Sequence, residues 1–282
     1  MHIKKNIVLQ REDNKPILID IFYNERFKNQ PVVIFCHGYK GFKDWGAWDI
    51  MAKLIANAGY VFVKFNFSHN GGTVEQPIDF SDLDAFGNNN YTKELNDLGD
   101  VIDWITITFK EKPFVNTSQI TLIGHSRGGG ISILKSAEDT RVSKLITLAS
   151  VCDFGRRSAT VGDLEKWQNE GVKYVRNGRT KQDMPHYFQF YEDYQLNKER
   201  LDIKKASQAI RIPHLIIHGN KDTSVNISEA ESISKWSTQG RLEIINEADH
   251  VFNIKHPWVR EDITPQFNNC INKIIRFLNM KH

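Results

Sequence analysis

Seven short apolar runs, each five to eight residues long and rich in Val, Ile, Leu and Phe, recur along the chain at 17–23, 31–37, 60–67, 120–124, 144–151, 214–218 and 242–246. Between them lie segments with apolar residues at helical spacing, at 45–58, 91–109, 128–137, 227–238 and 264–280. Continuous β-branched runs are what strands buried on both faces require, and helical crossovers let such strands run parallel. The pattern therefore predicts a mostly parallel sheet covered by helices on both faces. The segments at 3–10 and 17–23 follow each other too closely for a crossover helix, which predicts an antiparallel hairpin at one edge.

The alternation breaks once. Between the runs ending near 151 and beginning at 214 lie about sixty residues, where a crossover needs only about a dozen. This stretch carries Trp167, Tyr174, Tyr187, Phe188, Phe190, Tyr191 and Tyr194. The expectation is a helical cap over 153–211, set on a core of 1–152 and 212–282. Trp167, Tyr174, Tyr187, Phe190 and Tyr191 are its candidate pocket residues. The plainer reading is a helical decoration whose aromatic rings pack onto the core.

The chemistry begins at 120–130, where an apolar strand runs into Gly124-His125-Ser126-Arg127-Gly128 and then a run of small residues opening a helix. A serine between glycines, strand before and helix after, is the pattern of a nucleophile elbow: the turn is too tight for bulky flanking residues, and the hydroxyl is left projecting. A serine hydroxyl is a weak nucleophile and needs a base, itself oriented by an acid. Two later strands end on such groups. His214-Leu-Ile-Ile-His-Gly-Asn-Lys-Asp222 offers Asp222, and Leu242-Glu-Ile-Ile-Asn-Glu-Ala-Asp-His250 offers His250. Ligands in open α/β sheets bind beyond the carboxyl ends of the strands, so Ser126, Asp222 and His250 are expected to converge there. Asp153 competes as the acid and His256 as the base. Asp249 adjoins His250, and neighbouring loop residues point apart. His125 is expected to pack beneath the turn. His214 and His218 have metal-pair spacing for a helix, but on a strand they stand roughly 13 Å apart, so no metal is expected.

An acyl-transfer site also needs donors for the oxyanion. The backbone N–H of Arg127, directly after the serine, is one candidate. The other is the N–H of Tyr39 in His37-Gly38-Tyr39-Lys40-Gly41-Phe42, where glycine permits close approach.

Composition narrows the partners. With 40% hydrophobic and 25% charged residues, the 282-residue chain can build a large core. A net charge of +3 gives no argument for nucleic acid, and no run approaches the length of a membrane span. The start, Met1-His2-Ile3-Lys4-Lys5-Asn6, lacks the apolar core of a signal peptide. Cys36, Cys152 and Cys270 are odd in number and without CxxC spacing, which fits inert thiols in a cytoplasmic protein.

Together, His-Gly-Tyr-Lys-Gly-Phe, Gly-His-Ser-Arg-Gly-Gly, His-Gly-Asn-Lys-Asp and Ala-Asp-His resemble the α/β-hydrolase family, from about residue 15 onward. The Gly-rich loop and the insertion after the sixth strand are similar to bacterial feruloyl/cinnamoyl-esterase and dienelactone-hydrolase-like carboxylesterases. The similarity to the prolyl-oligopeptidase catalytic domain is weaker, and the chain has no room for that family's N-terminal propeller. The resemblance implies Ser126 as nucleophile, His250 as base, Asp222 as acid, Tyr39 and Arg127 as oxyanion donors, no cofactor and a small-molecule ester substrate. Arg127 replaces the commoner Met or Gln after the nucleophile, and Lys40 and Lys43 flank the oxyanion loop, which tilts the expectation towards polar or anionic substrates. A peptidase or amidase of small peptides would use the same triad. An inactive hydrolase-fold scaffold would keep the fold without needing the intact Ser, His and Asp.

Overall fold

In the computed structural model, which describes residues 1–159 and 162–280, eight strands form one sheet. In chain order they are β1 (His2–Leu9), β2 (Ile17–Tyr23), β3 (Gln30–Cys36), β4 (Val61–Phe65), β5 (Val115–His125), β6 (Val142–Leu148), β9 (His214–Gly219) and β10 (Gly240–Ile245), with β7 (Val172–Arg176) and β8 (Asp183–Tyr187) forming a separate antiparallel hairpin. The spatial order is β1-β2-β4-β3-β5-β6-β9-β10. Pairing is parallel from β4 through β10, while β1 and β2 supply the antiparallel edge that the short 3–23 spacing predicts.

Alternation along the strands feeds two cores. Val32, Ile34 and Cys36 of β3, with Ile120 and Leu122 of β5, face one side; Val33, Phe35 and Ile123 face the other. Side chains on a strand project to opposite faces at period two, so one run of β-branched residues serves both layers. The first layer is built by α3 (Tyr91–Phe109), α4 (Arg127–Glu138) and α9 (Ile227–Trp236), the second by α1 (Trp48–Asn57) and α10 (Pro265–Leu278). Two helix starts show why they begin where they do. The side chain of Asn90 accepts from the Lys93 N–H to open α3, and Thr264 accepts from the Phe267 N–H ahead of Pro265 to open α10.

From β3 the chain passes to β4 on one side and later to β5 on the other, so the strand order reverses at the β3–β5 pair. A crevice opens at such a switch point beyond the carboxyl ends of the strands. The loop after Cys36 and the turn after His125 both lie there.

The insertion departs from expectation. It contains α5 (Gly155–Ala159), α6 (Leu164–Glu170), α7 (Gln189–Leu196) and α8 (Ile203–Ala209), but also the β7–β8 hairpin, so it is not a purely helical cap. Val172 and Val175 favour extended backbone, and Asn177-Gly178 is a hairpin turn signal within the 177–182 connection. Phe154, Trp167, Phe190, Leu201 and Ile203 join the core layer formed by α3 and α4. One further short helix, α2 (Leu83–Gly87), packs against β8. Residues 160–161 of the insertion and 281–282 of the core lie outside the described residues.

Candidate active site

Ser126 stands between β5 and α4 with φ 55° and ψ −118°, a conformation that non-glycine residues rarely adopt. Backbone strain of this kind typically amounts to about 1–3 kcal/mol and persists only where the surroundings enforce it. Here they do. A β-carbon at Gly124 would lie 2.2 Å from the Gly128 carbonyl oxygen, and one at Gly128 would lie 2.4 Å from the carbonyl oxygens of Cys36 and His37. Backbone packs directly on backbone, and the Ser126 N–H donates to the Leu148 carbonyl at 2.9 Å.

His250 and Asp222 meet from separate loops. Nδ1 of His250 lies 2.7 Å from Oδ2 of Asp222. An ionised carboxylate only accepts, so Nδ1 carries the proton and Nε2 is left with a free lone pair. The Oδ1 atom of Asp222 accepts from the N–H groups of Ser224 and Val225 at 2.8 and 2.9 Å. Nε2 of His218, wholly buried, lies 2.9 Å from the Val225 carbonyl and 3.3 Å from Asp222 Oδ2, both acceptors, so it carries the proton and donates. Burial would raise the Asp222 carboxyl, but the hydrogen bonds from His218 and His250 hold it well below the usual carboxylate range. On the other side of His250, Nε2 of His125 lies 2.9 Å from its carbonyl oxygen and fixes the loop backbone.

The rivals are occupied elsewhere. Asp153 accepts from the N–H groups of Gly155 and Arg156 at the start of α5. His256 Nδ1 accepts from the Gly46 N–H and its ring packs on Phe42 and Trp45. Asp249 accepts from Val251 and Asn253 within its own turn. His214 contacts Thr147 and Ser237, far in role from any metal pair with His218.

The loop carrying Tyr39 is held by His37. Its Nε2 accepts from the Phe67 N–H at 3.2 Å, which leaves Nδ1 to donate to the Gly38 carbonyl at 2.9 Å. Burial lowers the His37 imidazole to about 4 and keeps it neutral for this double duty. In a trans peptide the Tyr39 N–H points opposite to that carbonyl, so fixing one orients the other. The Tyr39 hydroxyl donates to Nε2 of His186 at 2.8 Å, since His186 Nδ1 donates to the Met184 carbonyl. The oxyanion-loop candidate and the β7–β8 hairpin are thereby joined.

Ser126 and His250 open into one cavity of about 410 Å³. Its wall includes Tyr39, Tyr91, Arg127, Val175, His186 and Phe190. Of the five aromatic residues expected to line a pocket, only Phe190 does so. Trp167 is buried in the core, donating its indole N–H to the His186 carbonyl at 2.7 Å. Tyr174 is 63% exposed. The Tyr187 hydroxyl donates to Asp84, and Tyr191 packs against Phe188 and Trp167. For Tyr174 and Tyr187 the hairpin explains the difference, because its alternation sends Val175 and His186 to the cavity side and these two tyrosines to the opposite face.

The lysines beside the oxyanion loop do not face the cavity. Lys43 is fully buried, its ammonium 2.9 Å from Asp20 and 2.5 Å from Asp44. Lys64 joins the same cluster at 3.0 Å from Asp20 and 2.6 Å from each of Asp44 and Asp49. Asp20, Asp44 and Asp49 come close enough together to hold a cation, and the ammonium groups of Lys43, Lys64 and Lys5 already balance their three charges. Lys40 reaches the Arg176 carbonyl at 3.2 Å. Of those six wall residues, sequence reasoning missed Tyr91, Val175 and His186. Tyr91 opens a long helix and His186 lies in the unforeseen hairpin; only the Asn177-Gly178 turn signalled the latter.

Comparison with known proteins identifies the fold and the family. No curated protein matches the chain by sequence. Among solved structures, Est1E from Butyrivibrio proteoclasticus superposes with a TM-score of 0.72 over 98% of each chain at 15% identity. An esterase domain from Rhodothermus marinus does so at 0.61 over 90% of this chain and 91% of that one, at 18% identity. The α/β hydrolase GrgF from Penicillium sp. sh18 gives 0.68 over 99% and 98%, at 17% identity. These likenesses show a shared fold. The family model that matches, over residues 47–240, is that of the prolyl oligopeptidase family, to which the motifs gave the weaker likeness. That match spans the elbow, α4 and the insertion, well over half the chain, and the chain belongs to the prolyl oligopeptidase family of α/β hydrolases.

Proposed function

We propose that the protein hydrolyses carboxylic esters through an acyl-enzyme on Ser126, with His250 as general base and Asp222 as the orienting acid. The observation that carries this reading is the 2.7 Å contact of His250 Nδ1 with Asp222, with His250 and the strained Ser126 opening into the same cavity. In the first step the Ser126 oxygen bonds to the carbonyl carbon as Nε2 of His250 takes its proton. The carbonyl oxygen, now negative, is received by the N–H groups of Tyr39 and Arg127. The tetrahedral species collapses, the C–O bond to the leaving group breaks, and His250 returns the proton to the departing alcohol. Water then repeats the sequence on the acyl-enzyme. Each oxyanion donor is worth about 2.7–4 kcal/mol of transition-state stabilisation.

Esters are favoured as substrates because one structural neighbour is an esterase domain and Est1E has been solved with ferulic acid bound. A second reading, hydrolysis of small peptides, is supported by the family whose model matches. A fluorophosphonate probe should label the protein at Ser126, and Ser126→Ala should abolish labelling and lower kcat on p-nitrophenyl esters by several orders of magnitude. Turnover of peptide p-nitroanilides without turnover of esters would move the assignment to the second reading. Full ester turnover by Ser126→Ala would remove both.

A further inference from the structure

The wall of the cavity, as described, includes two arginines, Arg127 and Arg157, and no Asp or Glu, and the Arg127 guanidinium lies against the rings of the wall residues Tyr39, Tyr91 and Phe190. The two are held differently. Arg157 forms a two-point pair with Glu229, Nη2 to Oε1 at 2.7 Å and Nη1 to Oε2 at 3.0 Å, and Nη1 also donates to the Asp153 carbonyl. Arg127 touches its carboxylate once, Nη1 to Glu94 Oε1 at 3.2 Å. That oxygen already accepts from Asn89 Nδ2 at 2.7 Å, while Glu94 Oε2 is buried without a hydrogen-bond partner. A guanidinium binds carboxylates best through two parallel N–H donors, and a residue kept only to tie α4 to α3 would do so, as Arg157 does for its own helix.

Other features hold the Arg127 group in place without using its remaining donors. It lies 4.4 Å from the ring centre of Tyr39, 5.2 Å from that of Tyr91 and 5.5 Å from that of Phe190, and cation–π attraction fixes its position. Nη2 and Nε make no hydrogen bond among the described residues. Burial pushes the Glu94 carboxyl up even against the pull of Arg127. The result is a pre-positioned cation with open donors, one residue from the nucleophile, in a cavity of small-molecule size.

We propose that the substrate is an ester carrying a second, free carboxylate a few bonds from the scissile carbonyl, and that the guanidinium of Arg127 receives it. This rests on the acyl-transfer reading of Ser126. The carboxylate lies on the acyl chain, as in a half-ester of a dicarboxylic acid, or on the leaving alcohol, as in an ester of a carboxyphenol; the chemistry at Arg127 is the same.

Size-matched esters separate the two sources. Mono-4-nitrophenyl glutarate is compared with 4-nitrophenyl valerate for the acyl side, and 4-carboxyphenyl butyrate with 4-carbamoylphenyl butyrate for the alcohol side. Each kcat/KM is normalised to the alkaline hydrolysis rate of the same ester. In at least one pair the wild-type protein should prefer the anionic member by about tenfold or more, the size of effect a charge-assisted hydrogen bond supplies. Arg127→Gln should bring that ratio to near one. Because Arg127→Gln leaves Glu94 without its cation, the double variant Arg127→Gln/Glu94→Gln serves as the second test and should lose the same preference. Free glutarate should also inhibit wild-type hydrolysis of the neutral ester competitively, and valeramide should not. A wild-type ratio near one in both pairs, or a preference that survives both variants, overturns the proposal. Failure to turn over any of the four esters would instead remove the ester reading on which it stands, and this proposal with it.

Discussion

Gly38 and Ser126 touch so closely that a β-carbon at position 38 would lie 2.9 Å from the Ser126 β-carbon, and 3.2 Å from the His125 carbonyl oxygen. The loop bearing Tyr39 therefore meets Ser126 with no side chain between them. Gly38→Ala must push this loop away, and with it the Tyr39 N–H. A fall in kcat of about 10²–10³ is expected, the size seen when one oxyanion donor is lost. Ester kinetics alongside circular dichroism would check it, with the spectrum unchanged.

Asp222 gives a sharper expectation. Its Oδ1 accepts two backbone N–H groups, so in Asp222→Asn the amide oxygen must take that place. The amide NH₂ then faces His250 Nδ1, which can only accept from it. The proton moves to Nε2, and the base is lost. A drop in kcat of about 10⁴ is expected, as in serine proteases where this exchange fixes the wrong tautomer. Asp153→Asn, at the start of α5, should leave kcat within a few-fold of wild type. Pre-steady-state burst measurements on both variants would distinguish them.

Buried neutral imidazoles set the acid limb of stability. Burial lowers His37 to about 4 and His125 and His214 to about 3, against an unfolded value of about 6.5. Between those values the unfolded chain binds protons that the folded chain does not. Stability from these residues is full above about pH 6.5 and is lost as pH falls towards 3–4, with each contributing a slope on the order of 1 kcal/mol per pH unit. Urea midpoints should therefore decrease between pH 7 and pH 5.5. His214→Asn should flatten that slope.

On the proposed reading, Phe190, which belongs both to the core layer and to the cavity wall, meets the substrate, and Tyr174 does not. Phe190→Ala removes a wall ring and should change KM and acyl-chain preference, with smaller effects on p-nitrophenyl acetate. Tyr174→Ala, at a position 63% exposed, should change neither. A panel of p-nitrophenyl esters from acetate to decanoate would measure both.

The sheet and the elbow could be read from the chain because their signals are local. Val32–Cys36 and Ile120–Gly124 are continuous apolar runs, and Gly124 and Gly128 are fixed by backbone contacts that admit no substitute. Asp222 and His250 were legible from chain order and strand ends. The cavity wall was less so. Its membership depends on which way β7 and β8 alternate, and on long-range pairs such as Tyr39 with His186, which no spacing encodes. Lys43 misled for a related reason. Next to the oxyanion-loop candidate in sequence, it turns into the Asp20–Lys64 cluster, where Asp20 of β2, Lys64 of β4 and its own neighbour Asp44 decide its direction.

The close packing at Gly38, Gly124 and Gly128 bears on how this protein can change over time. Where backbone abuts backbone, none of these three glycines can be enlarged without displacing Ser126, so the elbow offers mutation almost no latitude. Val175, His186 and Phe190 reach the same cavity from the insertion as side chains, not as abutting backbone. On the proposed ester reading, drift in substrate preference is channelled into 153–211, and two descendants of this chain would diverge in what they cleave while retaining one way of cleaving it.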